Sequence, residues 1–150
     1  MTELYFYHLQ HQSLDAVLPT LLEKSIERGW RVVVQAGSQE RVQVLDAHLW
    51  TYRENSFLPH GAMTGEAAAE QPVWLTTSDA NANGAAVRVL IDGVPLPVDA
   101  QSYTRLMLIF DGNDPDAVEA ARIQWREAST LGLEAAYWQQ GDAGRWKRKT

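Results

Sequence analysis

Apolar positions in this chain fall into two rhythms that exchange repeatedly. Leu4 to Leu9 (LYFYHL) is a compact aromatic and aliphatic run, which predicts a first strand. Leu14, Val17, Leu18, Leu21, Leu22 and Ile26 then recur at helical spacing. A helix is therefore expected over 14–28, capped by Ser13, stopped at Gly29, and delayed or kinked by Pro19. Trp30 to Ala36 (WRVVVQA) is a continuous apolar run of the kind that fills a buried parallel strand. After the Gly37-Ser38 turn, Val42, Leu45 and Leu49 predict a second helix over 39–49. Strand, helix, strand, helix at these lengths predicts an α/β fold, a Rossmann-like, mostly parallel sheet with helices on both faces.

The middle of the chain is less regular. Trp50 to Gly61 (WTYRENSFLPHG) reads as an ordered loop, too aromatic for a linker and too broken by Asn55 and Pro59 for a strand. Met63 to Glu70 is alanine-rich and reads as a mobile surface loop. Short strands are expected at 72–77 and 87–91, separated by a flexible SDANANG, then a central strand over 105–110 and a last strand over 133–140. Residues 145–150 form a basic tail. One domain over 1–150 accounts for the whole pattern, since neither an internal repeat nor a linker is visible.

The stretch of most consequence is PDAVEAARIQWREASTLG, residues 115–132. Asp114 suits the N-cap, Pro115 the first helical position, and Gly132 the left-handed stop. On this helix Ala117, Ala121, Gln124, Ala128 and Leu131 share a face small enough to lie close on a sheet. Beside it run Val118, Arg122, Trp125 and Ser129, with Arg126 one step further round. A tryptophan between two arginines can take an apolar group and a carboxylate together. From spacing alone, boundary packing for Trp125 and solvated arginines is the plainer reading.

Composition changes this picture in one respect. The 150 residues carry 45% hydrophobic and 21% charged side chains, as an ordinary globular protein does. Cysteine is absent, which excludes disulfides and thiolate-bound metal and fits a reducing compartment. No apolar stretch predicts a membrane span or a signal peptide. The net charge of −6 argues against a nucleic-acid footprint over the whole surface. Arg122, Arg126, Arg145, Lys147, Arg148 and Lys149 nevertheless gather in the last third, so a bound anion is expected there.

Catalytic chemistry is weakly represented. Neither GxGxxG nor GxxxxGK[ST] occurs; a nucleotide-binding enzyme would have to rely on the Gly37-Ser38 turn at a helix N-terminus. His8 and His11 have no evident third ligand, so neither metal nor cofactor is expected. His60 lacks a nucleophile partner, and Asp111 and Asp114 are explained by a turn and a cap. A direct DNA binder using Lys147-Arg148-Lys149 is a further rival, but such an end is usually solvated and frayed.

Taken jointly and in order, LWTYRENSFLPHG, QPVWLT, RLMLIFDG and AARIQWREASTLG resemble the chi subunit of bacterial DNA polymerase III, over nearly the whole chain. The resemblance implies a Rossmann-like cytoplasmic protein without catalytic activity, part of the clamp-loader assembly in DNA replication. It implies pairing with the psi subunit and a grip on the acidic C-terminal tail of single-stranded-DNA-binding protein. The implied tail pocket is Trp50 with Arg122, Trp125 and Arg126, and Val118 as apolar wall. Trp125-Arg126 stand where the family can carry a tyrosine followed by a lysine. Phe57, with Leu58, Pro59 and His60, is the implied psi contact; anchoring of its own loop is the alternative for Phe57. A helicase competing with psi for the Phe57 surface is also implied, with DNA met only indirectly through these partners.

Overall fold

A computed structural model describes residues 2–51, 60–62, 66–141 and 145–149. Its frame is one eight-stranded sheet in the order β3-β4-β2-β5-β6-β1-β7-β8. The strands are β1 (Glu3–Leu9), β2 (Val32–Gln35), β3 (His60–Gly61), β4 (Val73–Thr76), β5 (Val87–Leu90), β6 (Arg105–Asp111), β7 (Glu134–Gln140) and β8 (Trp146–Arg148). All pair in parallel except β8, which runs antiparallel to β7 with Trp138 opposite Arg148. The helices are α1 (Leu14–Glu27), α2 (Gln39–Thr51), α3 (Glu66–Ala69) and α4 (Pro115–Thr130). The expected fold class holds, because each apolar run between turn signals became a strand and each 3.6-period segment a helix.

Strand alternation divides the core in two. Tyr7, Leu9, Val32, Val34, Met107 and Ile109 face α1 and α2. Leu4, Phe6, Val33, Leu106, Leu108 and Phe110 belong to the other layer, the one that carries α4. Consecutive side chains of β1, β2 and β6 thus go to opposite layers, which requires helices on both faces. The face of α4 against the sheet is Ala121, Gln124 and Ala128. Gln124 fits among alanines because its Nε2 donates to the Val94 carbonyl at 2.9 Å.

Several boundaries differ from those expected. α1 runs unbroken through Pro19. The proline cannot donate to the Asp15 carbonyl, and His48 Nε2 reaches that carbonyl instead, at 2.7 Å. α2 continues to Thr51, so Trp50 lies in a helix and not in a loop. Part of 63–70 is a helical turn with Ala68 fully buried. SDANANG is anchored: buried Asn83 donates from Nδ2 to the carbonyls of Val32 at 3.0 Å and Gln71 at 2.9 Å. The basic end is also not frayed throughout, since Trp146, Lys147 and Arg148 form the last strand. For Pro19 and for SDANANG, a hydrogen-bond partner outside the segment overrode the local signal.

Candidate partner-binding site

The capping residues expected for α4 are in place. Asp114 Oδ1 accepts from Asp116 N at 3.0 Å, and Gly132 has φ +74°. The helix therefore presents Val118, Arg122, Trp125 and Arg126 in a fixed register. Arg122 and Arg126 are exposed, whereas Val118 and Trp125 are half-buried.

Trp125 lies over strands β1 and β7. Its ring is 5.2 Å from Phe6, tilted by 58°, and 6.0 Å from Tyr137 at 73°. Each such pair contributes about 0.5–1.5 kcal/mol beyond area burial. Tyr137 also stacks on Phe6 at 6.5 Å and stands edge-on to Phe110 at 6.2 Å. Its hydroxyl is hydrogen-bonded to His8 Nδ1. Burial raises the Tyr137 phenol above its ordinary value, and the positive charge of Arg122 pulls it the other way. Burial also lowers His8, with the charge of Asp111 opposing. The pair is thus a neutral phenol donating to a neutral imidazole, whose Nε2 is buried without a hydrogen-bond partner. Gly112 makes room for that ring, since a Cβ there would come within 2.0 Å of it.

Tyr137 and His8 were not predicted as site residues. The period-2 alternation of β7 offers Tyr137 to one face or the other, but only the pairing of β1 with β7 puts it beside α4. Among the described residues, Arg122 meets Glu119 weakly, at 3.8 Å on the open surface. Such an exposed pair is worth about 0–1 kcal/mol and leaves the guanidinium available to a better-placed carboxylate.

Trp50 is not part of this group. α2 packs through Val42, Leu45 and Leu49 into the layer opposite α4, and the Trp50 ring lies 4.5 Å from that of His60 on β3. Trp125 stands over β1 and β7, five to six strands along the sheet. At about 4.8 Å per strand the two indoles are roughly 25 Å apart, on opposite faces. A groove shared by Trp50 and Trp125 is therefore not formed. Trp50 is 52% exposed at the β3–β4 edge.

His60 is buried, with Nε2 3.1 Å from the Asp46 carbonyl and 3.2 Å from Asp46 Oδ1, so it ties β3 to α2. Phe57, Leu58 and Pro59 lie outside the described residues.

The Gly37-Ser38 turn does not offer an open anion site. Gly37 N donates to Asp92 Oδ2 at 3.1 Å, and Ser38 Oγ accepts from Arg41 N at 3.1 Å. A phosphate there would meet the Asp92 carboxylate, which is already matched to Arg41 at 3.4 Å. The crevice at the C-terminal ends of β1, β5 and β6, about 740 Å³, is likewise lined by Asp92, Asp111, Asp114 and Asp116. In such folds this crevice is the usual nucleotide position, and here its charge opposes one. Among the described residues no group of three or more His, Asp or Glu is placed to hold a metal, and no helix is long and apolar enough to cross a membrane.

The molecule is thus an open doubly wound α/β domain with a cationic and aromatic helix face and a carboxylate-lined crevice at its strand ends. Residues 1–136 match the DNA polymerase III chi subunit family (HolC), and the chain belongs to it. It is similar to a probable DNA polymerase III subunit chi of Rickettsia prowazekii (strain Madrid E), 29% identical over 91 residues. That match spans 61% of this chain and 55% of the relative.

Proposed function

We propose that this chain is a non-catalytic accessory subunit that links the polymerase assembly to coated template, in the cytoplasm. In this reading the α4 face binds the acidic C-terminal tail of single-stranded-DNA-binding protein. The opposite edge, carrying Trp50 and His60, pairs with the psi subunit, and Phe57, Leu58 and Pro59 are assigned to the same contact from the sequence. One observation carries the first part: an exposed guanidinium, Arg122, on the same stripe of α4 as Trp125 and close enough to Tyr137 for its charge to act on the phenol. An acidic tail ending in an aromatic residue with a free carboxylate presents a ring, a terminal anion and further charge. Arg122 matches the anion, Trp125 and Val118 the ring, and Arg126 the remaining charge.

The magnitudes indicate a weak complex. Burying the ring yields about 1.5–3 kcal/mol, and a charge-assisted bond to Arg122 about the same. A micromolar dissociation constant requires roughly 8 kcal/mol net, after ordering of the peptide. Electrostatic attraction must supply the difference, so binding weakens with salt. The test is titration of a labelled tail peptide against the protein and its Arg122→Ala variant. Loss of most binding with an unchanged fold supports the reading; equal affinity places the pocket elsewhere. For psi, co-purification with Phe57→Ala is the corresponding test, and an undiminished complex counts against that surface.

A further inference from the structure

The layer opposite α4 contains a second aromatic and cationic feature. Between α1 and strands β1, β7 and β8 opens a cavity of about 440 Å³. Its walls include Trp30, Trp138 and Trp146, three of the six tryptophans in the chain, and the buried Tyr7. Lys24 and Arg28, both exposed, come from the last turn and C-cap of α1. Arg105 lines the same cavity and lies over the rings of Tyr5 at 4.2 Å and Trp30 at 5.1 Å, paired with Glu3. Arg148 stands opposite Trp138 across the β7–β8 ladder. Glu27 is the one carboxylate among the described lining residues.

Two cations at a helix C-terminus are ordinary complements of its dipole. That accounts for the sign of Lys24 and Arg28, but not for three indoles left lining an open cavity in a chain of net charge −6. Rings for stacking beside spread cations are the two parts of a single-stranded nucleic-acid site. The chemistry of Trp138 separates a base from an aromatic peptide side chain. Its Nε1 is buried without a hydrogen-bond partner among the described residues. A phenyl or indole side chain offers that donor only the weak acceptor of its π face, whereas the edge of a nucleobase carries full ring-nitrogen and carbonyl acceptors. We propose that this cavity holds one base of a single strand of nucleic acid, with the flanking phosphates on Lys24, Arg28 and Arg148. The contact is direct and independent of any tail bound at α4.

The test uses the full chain and fluorescence anisotropy at low salt, with a labelled oligothymidylate and an abasic strand of equal length. The expected result is saturable, salt-sensitive binding of oligothymidylate, with the abasic strand about tenfold weaker because stacking is lost. The double variant Lys24→Glu/Arg28→Glu alters exposed positions only and is expected to weaken both strands by about tenfold or more. Trp138→Phe keeps a ring but removes the donor, and is expected to narrow the preference for the strand with bases. Equal affinity for the two strands, or charge reversal without effect, overturns the proposal. Displacement of the oligonucleotide by a tighter-binding acidic, aromatic peptide at this cavity also overturns it, in favour of a peptide site.

Discussion

Trp125 of α4 stands edge-on against Tyr137 of β7, ring centroids 6.0 Å apart, with Phe6 beneath both. The indole is therefore both a packing element and a surface element. Trp125→Ala is expected to cost about 2 kcal/mol of stability, less than a fully buried site would, and to weaken tail binding about tenfold. Trp125→Phe should recover most of the stability. Denaturant midpoints beside peptide titrations check this, and a destabilised variant with undiminished tail affinity would confine Trp125 to packing.

Trp50 provides the sharpest contrast. Its ring neighbours His60 on the far edge and the opposite layer. Trp50→Ala is expected to leave tail affinity within about twofold, since sites this distant with no shared partner behave independently. The same variant is expected to weaken co-purification with psi. A tenfold loss of tail binding would mean that the tail reaches across to the α2 side.

The His8–Tyr137 pair predicts a pH dependence. Burial holds His8 below its ordinary 6.5, so the neutral imidazole is the form the fold favours. Its contribution is present above the unfolded value and is lost as pH falls through the folded one. Thermal midpoints should drop on moving from neutral to mildly acidic buffer. His8→Asn is expected to flatten that part of the profile; an identical slope in the variant would assign it to other groups.

Arg88 is fully buried in β5. Its guanidinium donates to Gln35 Oε1 at 3.2 and 2.9 Å, to the Ala80 carbonyl at 3.0 Å and to the Tyr103 hydroxyl at 2.9 Å. Removing it leaves several buried acceptors unmatched, so Arg88→Ala should cost about 3 kcal/mol or more. Urea unfolding measures this directly. A near-neutral variant would show that water replaces the side chain.

Much of this protein was determined by its sequence alone. Apolar period fixed which segments are strands and which are helices, because burial of one stripe or both faces is a local requirement. Asp114, Pro115 and Gly132 set the limits of α4 through backbone groups within one turn of each end. The adjacency of Val118, Arg122, Trp125 and Arg126 follows from the same helix geometry.

The tertiary structure decided what those residues face. Strand order cannot be read from period, and it is the β1–β7 pairing that brings His8 to Tyr137 beside α4, while the packing of α2 holds Trp50 at the far edge on the other side of the sheet. The buried satisfaction of Arg88, the Asp92 carboxylate at Gly37 and the strand made from the basic end share that cause. The first two depend on partners far away in the chain, and the last on β7 being already held in the sheet by β1. Local sequence specifies the groups that need partners; only the closed sheet specifies which partners they meet.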